Sequence, residues 1–234
     1  MGRARDVERR AELLDAVVGY LAQHGLAGVS LRPMAKELGV SVNALVHHFG
    51  SKEELVVEAL QRAAEIQEGI TRRWWAREPD LTQADVMRKW WRWMNRDAEN
   101  LALVRLGIEA AALDATVSGL PGEVRAAQIG YWRAGIESRL VADGIPAADA
   151  AVEASLAKAM FTGLVTDLLA SGQRQRLTTS LEVGLARLEA LTRGPSRKPP
   201  SPAPAPSPSA KRDRETSGLA EHESGRSGRV VAES

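Results

Sequence analysis

Residues 30–55 read SLRPMAKELGVSVNALVHHFGSKEEL, from Ser30 to Leu55. Ala35, Gly39 and Leu45, four and six residues apart, set the shape of this stretch. Two helices that cross closely need a small residue at the crossing, and Ala35 supplies it. The turn between them takes positive φ, which suits Gly39, and a large apolar side chain, Leu45, pins the second helix onto the first. The block therefore predicts a helix-turn-helix. Its first helix opens at Ser30, with Pro33 in the first turn where proline is tolerated; the second is capped by Ser41 and runs to about His48.

Helical periodicity continues on both sides. Val7, Ala11, Leu14, Val18 and Leu21 mark one face of a helix that Gly25 ends. Ser51 and Glu54 form a capping box for a long helix through about Ala76, and Thr82 and Asp85 form another. Further helices fit about 99–117, 122–142, 147–170 and 174–193, punctuated by Gly119, Pro121, Gly144, Pro146 and Gly172. No segment alternates with period two over a useful length, so the fold class is all-α. After Gly194 the composition changes. Residues 195–208 hold seven of the eleven prolines, and 209–234 are charged and polar. Such a stretch cannot bury enough apolar surface to offset its ordering entropy, and a disordered tail is expected. A proline motif for a partner, or a nonspecific DNA arm, is the alternative. The expected organisation is a reader at 1–50, a helical body at 51–193 and the tail at 194–234.

Composition narrows the function. There is no cysteine, and the histidines are His24, His47, His48 and His222. With no phosphate-binding glycine loop and no paired-histidine metal motif, an enzyme is not expected, nor is a cofactor or metal. Arg3, Arg5, Arg9 and Arg10 are followed by no apolar run, and no stretch approaches the roughly 18 apolar residues of a membrane span. The expected location is the cytoplasm, without a membrane partner. Net charge is only +1, but charge is unevenly placed: between Ser30 and Lys52, Arg32, Lys36 and Lys52 face Glu37 alone. Any DNA surface is therefore local.

From Ser30 through Leu55 the chain resembles the DNA-binding domain of the tetracycline-repressor (TetR) family, in which such a turn runs into a Phe, a Ser-Lys-Glu cap and a long helix, here Phe49, Ser51-Lys52-Glu53 and the helix that continues from Glu54. The resemblance covers about residues 8–56. It implies a three-helix reader, a ligand-binding helical body and a homodimer on a pseudo-palindromic operator of double-stranded DNA. Ser30 and Ser41 stand at helix N-termini that favour phosphate. Val42, Asn43 and Ala44 open the recognition helix, with Asn43 suited to an adenine edge and Val42 and Ala44 to thymine methyls. His47, His48 and Lys52 suit phosphates, and Arg32 the backbone or a groove. Leu45 and Phe49 are expected in the core. Asn43-Ala44 stand where the family commonly has Gly-Thr, and Val46 where it has Tyr.

In the body, Trp74, Trp75, Trp90, Trp91 and Trp93 fall within 20 residues, and Met87, Trp90, Trp91 and Met94 share a helical face. Such a stripe either packs a core or lines a cavity. The resemblance implies that Trp74, Trp75, Met87, Trp90, Trp91, Met94, Trp132, Met160 and Phe161 line a site for a small hydrophobic or aromatic effector. Arg88, Lys89, Arg92 and Arg96 are expected on a solvated face. The resemblance also implies dimerisation through the helices at 122–142 and 147–170, where Ala150, Ala154, Ala157, Ala159 and Gly163 allow close approach and Ile129, Ile136, Leu156 and Met160 serve as anchors. The long helix from Ser51 to Trp75 is expected to carry movement from effector to reader.

Overall fold

The helices of the computed structural model run, in chain order, α1 (Gly2–His24), α2 (Leu31–Glu37), α3 (Val42–Phe49), α4 (Lys52–Arg77), α5 (Gln83–Met94), α6 (Ala98–Ala112), α7 (Gly122–Ala142), α8 (Ala147–Ser171) and α9 (Arg174–Arg193). The structure describes residues 2–112 and 122–193, with side chains over 5–112 and 132–192. Every regular element among them is α-helical. The end of the helix read at 99–117, the side chain of Ile129 and the tail at 194–234 lie outside the described residues. No described helix is long and apolar enough to cross a membrane.

The starts of these helices reflect local hydrogen bonding, because a first turn has N–H groups that need acceptors. Ser51 Oγ accepts from Glu54 N at 3.1 Å and the Glu54 carboxylate accepts from Ser51 N at 2.7 Å, so α4 opens on a complete capping box. The bond from Ser51 N, and after it the Ser51 side chain beside the carboxylate, hold the Glu54 carboxyl below its usual pKa. Thr82 and Asp85 cap α5 in the same way. Ser41 Oγ accepts from Ala44 N at 3.1 Å to open α3. Ser30 departs from expectation. Its backbone is extended, φ −137° and ψ 138°, as an N-cap requires, yet its hydroxyl makes no capping bond.

Two glycines are required by the backbone. Gly39 has φ 67° in the turn between α2 and α3. Gly50 has φ 77°, and a Cβ there would run into the Glu54 carboxylate. Gly50→Ala should therefore add left-handed strain of about 1–2 kcal/mol and push Glu54 out of its box, worth about 1 kcal/mol more. Urea denaturation should show a loss of about 2–3 kcal/mol. A loss under about 0.5 kcal/mol, the level of an ordinary surface substitution, would mean that the turn relaxes freely.

Two apolar cores result. The first joins Val17 and Leu21 of α1, Met34 and Ala35 of α2, Leu45 and Phe49 of α3 and Leu55, Ala59 and Leu60 of α4, all buried. It also takes in Leu106 and Ala110 of α6. The second joins α5, α7, α8 and α9 through residues such as Met87, Trp90, Trp91, Leu140, Phe161, Val165 and Leu181. Arg88, expected on a solvated face, instead bridges α5 to α9, with Glu182 at 2.8 Å and Glu189 at 2.5 Å. Its side chain is 24% exposed, so this is a half-buried cross-link.

Candidate nucleic-acid interface and the cavities of the helical body

The inward face of α3 is taken up by packing. Leu45 is 1% exposed and Phe49 4%, against Met34 and Ala35 of α2. Helical spacing then turns Asn43, Val46 and His47 outward, and all three are exposed, Val46 by 45%. Val42 and Ala44 flank them, half-buried. Ser30, Arg32 and Ser41 are exposed, whereas His48 and Lys52 are half-buried. Lys52 stands at the first residue of α4, with Glu53 as an ion-pair neighbour at 3.3 Å. Glu37, the acidic residue of this stretch, is bonded to His24 Nε2 at 3.1 Å. That leaves an outward helix face with a side-chain amide, an imidazole and an isopropyl group, beside hydroxyls and N–H groups at helix N-termini. Such a face can donate to phosphate and present both polar and apolar groups to base edges.

Arg10 holds α3 in place. It donates through Nε to His48 O at 3.0 Å, pairs with Glu58 of α4 at 2.6 Å and lies over the Phe49 ring at 4.8 Å. Arg10 does not stand out in the sequence, and Val46 does so only as the residue at a position where the family has Tyr. Arg10 looks like any arginine on the polar side of α1, and Val46 has a type usually found inside.

Among the described residues, the body has cavities of about 320 and 400 Å³. Met87, Trp132 and Phe161 line the first, with Val104, Ile108 and Lys158. Trp75, Trp90 and Trp132 line the second, with Thr71 and Val86. The Trp132 ring belongs to both. Its Nε1 donates to Gln67 Oε1 at 3.0 Å and its plane stacks near Phe161, 6.1 Å between centroids and 25° apart. Trp74, Trp91, Met94 and Met160 line neither cavity. Trp74 packs edge-on against Trp90 at 5.2 Å, and Trp91 Nε1 donates to Thr178 Oγ1 at 2.8 Å. Met94 is fully buried, and Met160 fills the space that a Cβ on Gly184 would need. Lys158 is a lining residue the periodicity does not reveal, and burial lowers its pKa. The available signal is its isolation: within 147–171 it is the sole lysine or arginine.

α6 serves both regions. Val104, Gly107, Ile108 and Ala111 line the first cavity. From the same helix, Arg105 donates to Ala22 O at 2.6 Å and Gln23 O at 3.1 Å, and Glu109 accepts from Leu26 N at 2.9 Å. The last carbonyls of a helix lack partners of their own, and Arg105 supplies them for α1. Among the described residues, no cluster of three His, Asp or Glu could hold a metal ion.

Comparison with known proteins bears on both parts. The family model described as bacterial regulatory proteins, tetR family, matches residues 13–59. The HTH-type transcriptional repressor KstR2 of Mycobacterium tuberculosis is 42% identical over 53 residues, which are 23% of this chain and 26% of the repressor. The chain thus aligns with about a quarter of the length of such curated relatives, which are regulators of transcription. A transcriptional regulator from Rhodococcus sp. Rha1 has a similar fold, with TM-score 0.61 and 23% identity over 80% of this chain and 99% of that one. The multidrug binding protein EbrR, solved with malachite green, gives TM-score 0.58 and 24% identity over 77% and 98%.

Proposed function

We propose, from the match of residues 13–59 to the tetR family of bacterial regulatory proteins, that this chain is a TetR-family, sequence-specific DNA-binding transcriptional regulator, a homodimeric repressor that a small hydrophobic or aromatic ligand releases from a pseudo-palindromic operator. It works in the cytoplasm. The observation that carries the reading is the outward face of α3, where Asn43, Val46 and His47 stand clear over a helix pinned by Leu45 and Phe49. Ser30, Arg32, Ser41, His47, His48 and Lys52 hold phosphates, while Val42, Asn43 and Ala44 meet bases. In this reading residues 1–50 are the reader and 51–193 bind ligand and partner.

The dimer is supported by the outer side of α8. Val152 is 59% exposed and Leu156 48%, and with Ala159 and Gly163 they follow one helical stripe. Small residues at 159 and 163 let a second helix approach closely, and two-fold symmetry pairs the same stripe on both copies. Release is supported by α4 and α6. The 26 residues of α4 span about 39 Å at 1.5 Å per residue, so a small tilt at its Trp end shifts Ser51 and the reader. α6 joins the first cavity to the end of α1.

The test combines selection from random duplexes with substitution. Selection should recover a two-fold site that binds two chains in sedimentation. Asn43→Ala should then cost roughly 1–3 kcal/mol at one base position and relax specificity there. Lys52→Ala should weaken operator and random DNA alike and lower the salt slope by about one. If the two substitutions act alike on both DNAs, the orientation assigned to α3 is wrong.

A further inference from the structure

We propose that the first cavity is a site for a small monoanionic amphiphile, a medium-chain carboxylate being the simplest, with its charged head on Lys158 and its tail among Met87, Val104, Ile108 and Phe161. The proposal rests on the reading of this cavity as the effector site and adds the chemistry of what enters it.

Lys158 is the charged residue among the described lining groups, and the remainder of the wall is apolar apart from Gln67, Thr162 and Thr166. Those polar neighbours are largely engaged already. Gln67 donates to Leu103 O at 3.2 Å and accepts from Trp132, and the Thr166 hydroxyl donates to Thr162 O at 2.9 Å. The Lys158 ammonium has no ion pair or hydrogen bond among the described residues. Other half-buried cations of the body are matched: Arg88 by two glutamates, Lys89 by Glu78 and Arg139 by Asp143.

A charge taken partly out of water without a partner is costly, and desolvation lowers the Lys158 pKa accordingly. A carboxylate entering the cavity restores the missing partner through a charge-assisted hydrogen bond. The Thr162 hydroxyl, one helical turn further on, is placed beside it. A cationic ligand of the same length meets like charge instead. Size sets the class. At about 30 Å³ for each non-hydrogen atom, as in liquid water, a cavity of about 320 Å³ takes roughly the content of a ten-carbon carboxylate.

The experiment is calorimetric titration of the full-length protein, without DNA, using decanoate, decanol and decyltrimethylammonium below their micelle concentrations. Decanoate should bind about tenfold tighter than decanol, and decyltrimethylammonium should bind weakest. Lys158→Met should bring decanoate down to the level of decanol, and Lys158→Glu should reverse the order of the two ions. Equal binding of decanoate and decanol, no binding by any of the three, or an unchanged decanoate affinity in Lys158→Met would overturn the proposal. If either variant fails to fold by circular dichroism, the three head groups on the unaltered protein still decide. Operator titration forms a separate arm. Decanoate that binds through Lys158 yet leaves operator affinity unchanged at saturation would overturn ligand-driven release and leave this site standing.

Discussion

Leu106→Ala is expected to destabilise the whole chain by about 2–5 kcal/mol, with the reader and the body still unfolding together. Leu106 is fully buried, and α6 inserts it into the core that also holds Val17, Leu21, Leu45 and Leu60. Removing its isobutyl group leaves a void beside residues of α1 and α4, which the closely packed surroundings fill only in part. The two regions can be watched separately. All six tryptophans lie between positions 74 and 132, outside the reader, while far-ultraviolet circular dichroism sees every helix. In urea the two signals should give one midpoint before the substitution and one lower, shared midpoint after it. An early dichroism transition that leaves tryptophan emission untouched would show that the reader is held by its own contacts and that α6 merely touches it.

Glu109→Ala should abolish most of the ligand response while sparing the DNA affinity of the ligand-free protein. Glu109 accepts the Leu26 N–H at 2.9 Å, and Arg105, one turn away, donates to Ala22 and Gln23 carbonyls. Together they clasp the end of α1 from the helix whose other side lines the first cavity. Losing one bond to a charged group costs about 1.5–3 kcal/mol of stability, and the outward face of α3 is untouched. A typical coupling of about 1–3 kcal/mol weakens operator binding roughly 5–150-fold; with Glu109→Ala that factor should fall below about threefold. Operator titration with and without saturating ligand measures it. Glu109→Gln keeps an oxygen that can accept the same bond and should recover part of the response. Full release in the alanine variant would assign the transmission to α4 alone.

Legibility in the chain tracks the range of each interaction. Capping boxes at Ser51 and Thr82 are legible because each closes within three residues, and the helix-turn-helix is legible because Ala35, Gly39 and Leu45 act across a single turn. Ser30 marks the limit of that range. Its position before α2 is readable, but where its hydroxyl points depends on a rotamer that no neighbour in sequence dictates. The tryptophan stripe shows which side of α5 is apolar, since period 3.6 fixes a face. It does not show where the packing leaves space, and so Trp91 and Met94, on the same face as Met87 and Trp90, meet side chains rather than a cavity. Arg105 and Glu109 reach partners 82 or 83 residues away, and Arg10 one 48 residues away. Nothing local distinguishes such charges from solvated ones. Lys158 is the hardest case, because its interest lies in the absence of a partner among the described residues, which a sequence does not display.

The indole of Trp132 is a party wall. It lines both the first cavity and the second, tethered to Gln67, which lines both as well. Any molecule that turns this ring to make room for itself takes that room from the other cavity. Two compounds lodged in different cavities, never touching, would then displace each other in solution. A displacement assay would count them as rivals for one place, and their mutual exclusion would report the swing of a single side chain.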